Sequence, residues 1–149
     1  MKKTTKTLAT ALLLILGYSE LVSADSQPGA IGSKRSKAGG TNQYLVTCSN
    51  DGQGEPHHLY LEVKDLAPRN PAQLSIQAML PATGAATSLS IDWRDGDAYS
   101  SSGVTLVGGV GPYLLSVNKS RSNKRGAEQY VAIFHCETAE GIHTGTALE

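Results

Sequence analysis

The 149-residue chain carries 13 basic and 13 acidic residues, with 17% charged and 40% hydrophobic residues overall. Lys2, Lys3 and Lys6, against the single acid Glu20, lie in the first 24 positions, so the remainder is near neutral and slightly acidic. That balance excludes a broad nucleic-acid platform, which needs many phosphate neutralisations, and a chain of this length makes one domain around one core.

Residues 1–24 read as a secretory signal peptide. The three lysines precede an apolar run from Leu8 to Gly17, and Val22-Ser23-Ala24 offers small residues to a signal peptidase. The run is too short to cross ~30 Å of hydrocarbon and is closed by Ser19 and Glu20, so no transmembrane anchor is expected after signal removal. The expected destination is the periplasm or the medium. Residues 25–42 hold Gly, Ser, Pro and Lys with almost nothing to bury, and are expected to form a flexible leader with a solvated Lys34-Arg35-Ser36-Lys37 run.

From residue 43 to 149 the chain reads as one all-β domain. Tyr44, Val46 and Cys48 share a parity in a first strand over 43–48, and Leu59, Leu61 and Val63 point inward from a second over 58–64. Between them Asn50-Asp51-Gly52 marks a turn. A loop containing Ala67-Pro68-Arg69 leads to a strand over 73–80 with Leu74, Ile76, Ala78 and Leu80 inward. The next, over 87–93, is expected to bury Leu89, Ile91 and Trp93. Val104 to Val107, Pro112 to Asn118 and Gln129 to Cys136 follow, the last two read as a hairpin whose tip is a basic loop. Both parities are apolar from Tyr130 to Phe134, which predicts a central strand. With a terminal strand over 144–148 there are about eight, and the economical arrangement is an antiparallel β-sandwich or jelly roll. Cys48 and Cys136, alone in an exported chain, predict one disulfide.

The segment from Ala72 to Tyr130 combines a Leu-x-Ile strand, an Asp-rich turn (Asp92, Asp95, Asp97), the Val104-Thr105-Leu106 strand and a Gly-x-Tyr-x-Leu-x-Val-like strand beginning at Gly111. In these features it resembles the bacterial pre-peptidase C-terminal domain, a jelly-roll accessory module of secreted enzymes. The resemblance implies a fold and a noncatalytic accessory or binding character, and it transfers no functional residue.

Three constellations are candidates for chemistry. His57, His58, His135 and His143 are potential copper or zinc ligands, since imidazole is the commonest side-chain ligand for these metals, but strand alternation is expected to let only one of His57 and His58 join such a site. The plain expectation is preferred: His135 a hydrogen-bonded strand residue, His57 and His58 in a solvated loop. Asp92, Asp95 and Asp97 on a glycine-containing turn offer hard oxygen ligands to calcium, against the commoner reading of a simple turn. Lys119, Arg121, Lys124 and Arg125 concentrate positive charge in one loop that suits an anionic polymer or an acidic protein partner. No nucleophile elbow, zinc-protease helix or phosphate loop occurs. The leading expectation is therefore an exported, noncatalytic binding or accessory β-sandwich acting through its loops, and the alternative is a periplasmic copper- or zinc-binding protein using histidines.

Overall fold

A computed structural model describes residues 26–66, 70–94 and 96–149. The signal peptide expected over 1–24, the loop residues Ala67, Pro68 and Arg69, and Asp95 lie outside the described residues. Nine strands run in order: β1 (Ser26–Ile31), β2 (Gly40–Ser49), β3 (His58–Leu66), β4 (Leu74–Met79), β5 (Ser90–Asp92), β6 (Val104–Val107), β7 (Gly111–Lys119), β8 (Glu128–Glu137) and β9 (Gly145–Leu148). They form two antiparallel sheets, ordered β1-β8-β3-β6 and β5-β4-β7-β2-β9. Among the described residues there is no helix.

The pairings β1 with β8, β2 with β7, β3 with β6 and β4 with β5 are those of one long hairpin, closed at β4–β5 and wound around a core. That winding is a jelly roll, to which β9 adds a strand beside β2. The alternation that defines each strand supplies the core. Leu59, Leu61 and Val63 of β3 and Tyr130, Ala132, Phe134 and Cys136 of β8 face Val46 and Cys48 of β2, Leu74 and Ile76 of β4, and Tyr113, Leu115 and Val117 of β7, all fully buried. β8 is interior to its sheet, as its apolar parities require.

The Cys48–Cys136 disulfide forms, and it joins the two sheets, β2 to β8. The Cα atoms stand 5.6 Å apart there, well inside the ~10 Å usual between packed sheets, so the bridge marks an end where the layers converge.

Two expectations about chain path are corrected. The strands β7 and β8 are not a hairpin: they lie in opposite sheets, and residues 120–127 form an arch between the layers. Each strand has one fully buried parity, which either arrangement satisfies, so the apolar pattern does not choose between them. Nor are the described residues 26–42 of the expected leader loose, because β1 pairs along β8 and β2 begins at Gly40. The turn between them is tied to the arch, Ser122 N donating to Lys37 O and Gly126 N to Ser36 O. An edge strand needs main-chain pairing more than buried side chains, which is why a Gly- and Ser-rich composition did not forbid it.

Gly29 shows how closely β1 is fitted. It sits opposite Tyr130, and a Cβ there would overlap the Tyr130 phenol, whose hydroxyl is bonded to the Tyr44 hydroxyl and accepts from Asn42 Nδ2 at 2.8 Å. Gly29→Ala is therefore expected to cost about 1 to 3 kcal/mol of stability, measured by urea unfolding; an unchanged midpoint would mean that β1 does not pack here.

Burial, reinforced by its bond to Tyr44, raises the Tyr130 phenol pKa far above the ordinary value; burial also raises Tyr113, and burial together with Glu62 raises Tyr60. Because the folded state holds these phenols protonated to higher pH than the unfolded chain does, the stability they confer is whole below the free-phenol pKa of ~10 and is lost as pH rises beyond it. Stability is thus expected to fall above about pH 10. Ultraviolet titration should show these three phenols ionising above the free-phenol pKa of ~10, and ionisation of all three at that value would contradict the packing.

Candidate metal centre

β8 ends on the outer face of its sheet with His135 and Glu137, two residues apart and therefore side by side. The neighbouring β3 brings its own outward residues opposite them: His58 faces Glu137 and Tyr60 faces His135. Beyond β8, Thr138 N donates to Ile142 O and Gly141 adopts a positive φ of 81°, folding the chain back so that His143 bridges to Glu137. His57 lies just before β3, its amide donating to Glu137 O at 2.7 Å.

Three of the four histidines thus gather around one carboxylate, and the fourth, His57, meets His58 behind it. Glu137 Oε2 is 2.8 Å from His58 Nε2, and Oε1 is 2.8 Å from His135 Nε2 and 3.7 Å from His143 Nε2. The rings reinforce the arrangement: Tyr60 stacks on His135 at 4.8 Å between centroids, and His135 on His143 at 4.0 Å. His57 Nδ1 lies 3.1 Å from His58 Nδ1. In the neutral tautomer of His58 that donates Nε2–H to the carboxylate, Nδ1 is left to accept the Nδ1–H of His57. Of His57 and His58 only His58 contacts Glu137, while His57, which precedes the strand, reaches no further than His58 Nδ1. His135 is a half-buried strand residue, as the plain reading has it, but His58 is a strand residue rather than part of a solvated loop.

His135, Glu137 and His143 each offer a ligand atom within 4.8 Å of the others. A tetrahedral ion with bonds of 2.0–2.1 Å sets neighbouring ligand atoms about 3.3 Å apart. The His135–Glu137 separation must then open by about half an ångström, the His143–Glu137 separation close by slightly less, and the widest separation in the set, up to 4.8 Å, close by as much as ~1.5 Å. His143, exposed and on a turn, is free to make that adjustment. The set of two imidazole nitrogens and one carboxylate oxygen suits Zn²⁺ or Cu²⁺. His58, holding the second carboxylate oxygen, would orient Glu137 from behind. Glu137 is the member that sequence reasoning left unassigned; its signal was the shared outward parity with His135.

The other candidates fare differently. Asp92 is buried, with Oδ2 accepting from Asp65 N at 2.8 Å and Oδ1 from Arg94 N at 3.0 Å, and Asp97 Oδ1 accepts from Tyr99 N at 2.7 Å. Both described members of the proposed calcium turn are committed to backbone amides, and Asp95 lies outside the described residues. Lys119 is no loop residue: it closes β7, only 3% exposed, and its Nζ donates to Ala38 O. Arg121, Lys124 and Arg125 do lie exposed on the arch.

Trp93 and Leu89, expected in the core, are 72% and 52% exposed. The parity of β5 is reversed because its polar side chains have inward work. β3 pairs with β6 only as far as Leu61, and the amides of Val63 and Asp65 beyond it are taken by Ser101 Oγ and Asp92 Oδ2. Ser90 Oγ donates to Ser101 Oγ, so Ser90 and Asp92 turn in and Trp93 turns out.

No family model matches the sequence, and no curated protein matches it. Among solved structures, the chain is similar to one described as the structure of infectious bursal disease virus Gx strain, at 11% identity and a TM-score of 0.24, covering 85% of this chain and 36% of that one. A likeness at that level bears on neither family nor function.

Proposed function

We propose that this protein is an exported binder of a divalent transition metal, zinc or copper, held by His135, Glu137 and His143 with His58 orienting the carboxylate. The observation that carries the reading is the convergence of three histidines, His58, His135 and His143, from three separate stretches of chain, on the single carboxylate of Glu137. Surface histidines scattered for solubility have no reason to share one acceptor. The disulfide supports residence in an oxidising compartment, and with the signal-like N-terminus it favours the periplasm or the medium. Among the described residues no helix is long and apolar enough to cross a membrane. An accessory role beside a secreted enzyme, capturing a protein or polymer partner, rests on the resemblance of 72–130 to the pre-peptidase C-terminal module and is compatible with metal binding.

In this reading the ion replaces the proton between His135 Nε2 and Glu137 Oε1, so binding releases protons and weakens on acidification. Calorimetric titration of chelator-treated protein with Zn²⁺ and with Cu²⁺ is the test. One ion per chain with a Kd below ~1 μM is expected for at least one metal, and weaker or non-saturating binding of both would remove the reading.

A further inference from the structure

We propose a second ligand site, for a neutral pyranose of a glycan, in the cleft beside β5 where Trp93, Arg94 and Tyr99 stand over Ser100 and Ser102. The cleft has a volume of ≈ 300 Å³, at the lower end of the range for small-molecule sites and roughly the size of one or two sugar rings. It shares no residue with the histidine cluster. Its walls combine exposed aromatic rings with polar side chains. Trp93 and Tyr99, 72% and 65% exposed, present aromatic faces to solvent, and Arg94 lies 5.5 Å from the Tyr99 ring centroid, holding that ring by a cation–π contact.

The occupant follows from the chemistry of the lining. A purely hydrocarbon ligand would strip water from the guanidinium and the serine hydroxyls without replacing their hydrogen bonds. A phosphate or sulfate ligand needs net positive charge, and here one guanidinium sits with the Asp92 carboxylate among the described lining. A pyranose meets both demands, since its C–H face stacks on an aromatic ring while its hydroxyl edge exchanges hydrogen bonds with Arg and Ser. The reversal of β5 parity is what delivers Trp93 to this position: burying Ser90 and Asp92 sends Trp93 outward at the rim of a concavity.

Trp93 is the sole tryptophan of the chain, so intrinsic tryptophan emission reports on this cleft alone. The mature, disulfide-intact protein, with chelator present, would be titrated with cellotetraose, maltotetraose and tetra-N-acetylchitotetraose. At least one should give a saturable emission change with a Kd below ~10 mM. Tyr99→Ala and Arg94→Ala, both at exposed positions that keep the reporter, should each weaken it by at least ~10-fold. Absence of a saturable change with all three sugars, or one that survives both substitutions, would overturn the proposal. So would an emission change that tracks protein concentration without sugar, which would assign the patch to a second copy of the chain.

Discussion

Replacing Cys48 and Cys136 together by alanine is expected to lower the unfolding free energy by about 4 to 5 kcal/mol. The cross-link spans 88 residues of sequence, and in the chain-entropy account a loop of that size is among the more costly to leave open in the unfolded state. Against a total stability of ~5 to 15 kcal/mol for a domain of this kind, the loss is large. The location of the bridge adds a second consequence. Cys136 is flanked by His135 and Glu137 on the opposite face of β8, and its amide donates to Thr146 Oγ1 at 2.9 Å while its carbonyl accepts from Thr144 N at 2.8 Å. The bridge therefore fixes the strand end from which two of the three expected metal ligands project. The double alanine variant should unfold at lower urea and also bind metal more weakly, and a variant within ~1 kcal/mol of the parent would show that the sheets hold their convergence without it.

Removing the centre of the histidine cluster should have the largest effect on binding. Glu137→Gln keeps the shape of the side chain but removes its charge, and His135→Ala removes the ligand that the β3–β8 register sets most firmly. Each is expected to reduce affinity by more than ~100-fold, because even residues that only orient a ligand typically contribute 10- to 100-fold. His58→Ala, acting through Glu137, should fall within that smaller range. The same variants should lose the ligand-induced stabilisation of the parent, which at ~100 times Kd amounts to about 2.7 kcal/mol. Equal affinity in Glu137→Gln and the parent would mean that the carboxylate is a hydrogen-bond acceptor for histidines and nothing more.

Much of the architecture is legible in the sequence because alternation with period two is a local property. Leu59-x-Leu61-x-Val63 and Tyr130-x-Ala132-x-Phe134 fix which faces are buried without reference to any distant residue. Strand neighbourhood is not local. Nothing in 58–64 or 129–136 states that β3 lies beside β8, or that His58 falls opposite Glu137 rather than two residues away, and the candidate site depends on that register. For the same reason β7 and β8 could be read as a hairpin although they belong to different sheets. β5 misled in another way. The apolar pattern of Leu89, Ile91 and Trp93 competes with the backbone amides left over where β6 ends, and three buried polar bonds outweigh it. The N-terminal segment escaped detection because an edge strand asks little of its side chains beyond a glycine small enough to lie on Tyr130.

The most direct test of the metal centre is long-range ¹H–¹⁵N correlation spectroscopy of the imidazoles in the intact protein, recorded before and after one equivalent of Zn²⁺. The predicted result is that the Nε2 resonances of His135 and His143 move to the shifts of metal-bound nitrogen while His58 keeps its proton on Nε2. Imidazole spectra unchanged by zinc in a protein that also fails to bind Cu²⁺, or changes confined to His57 and His58, would contradict it.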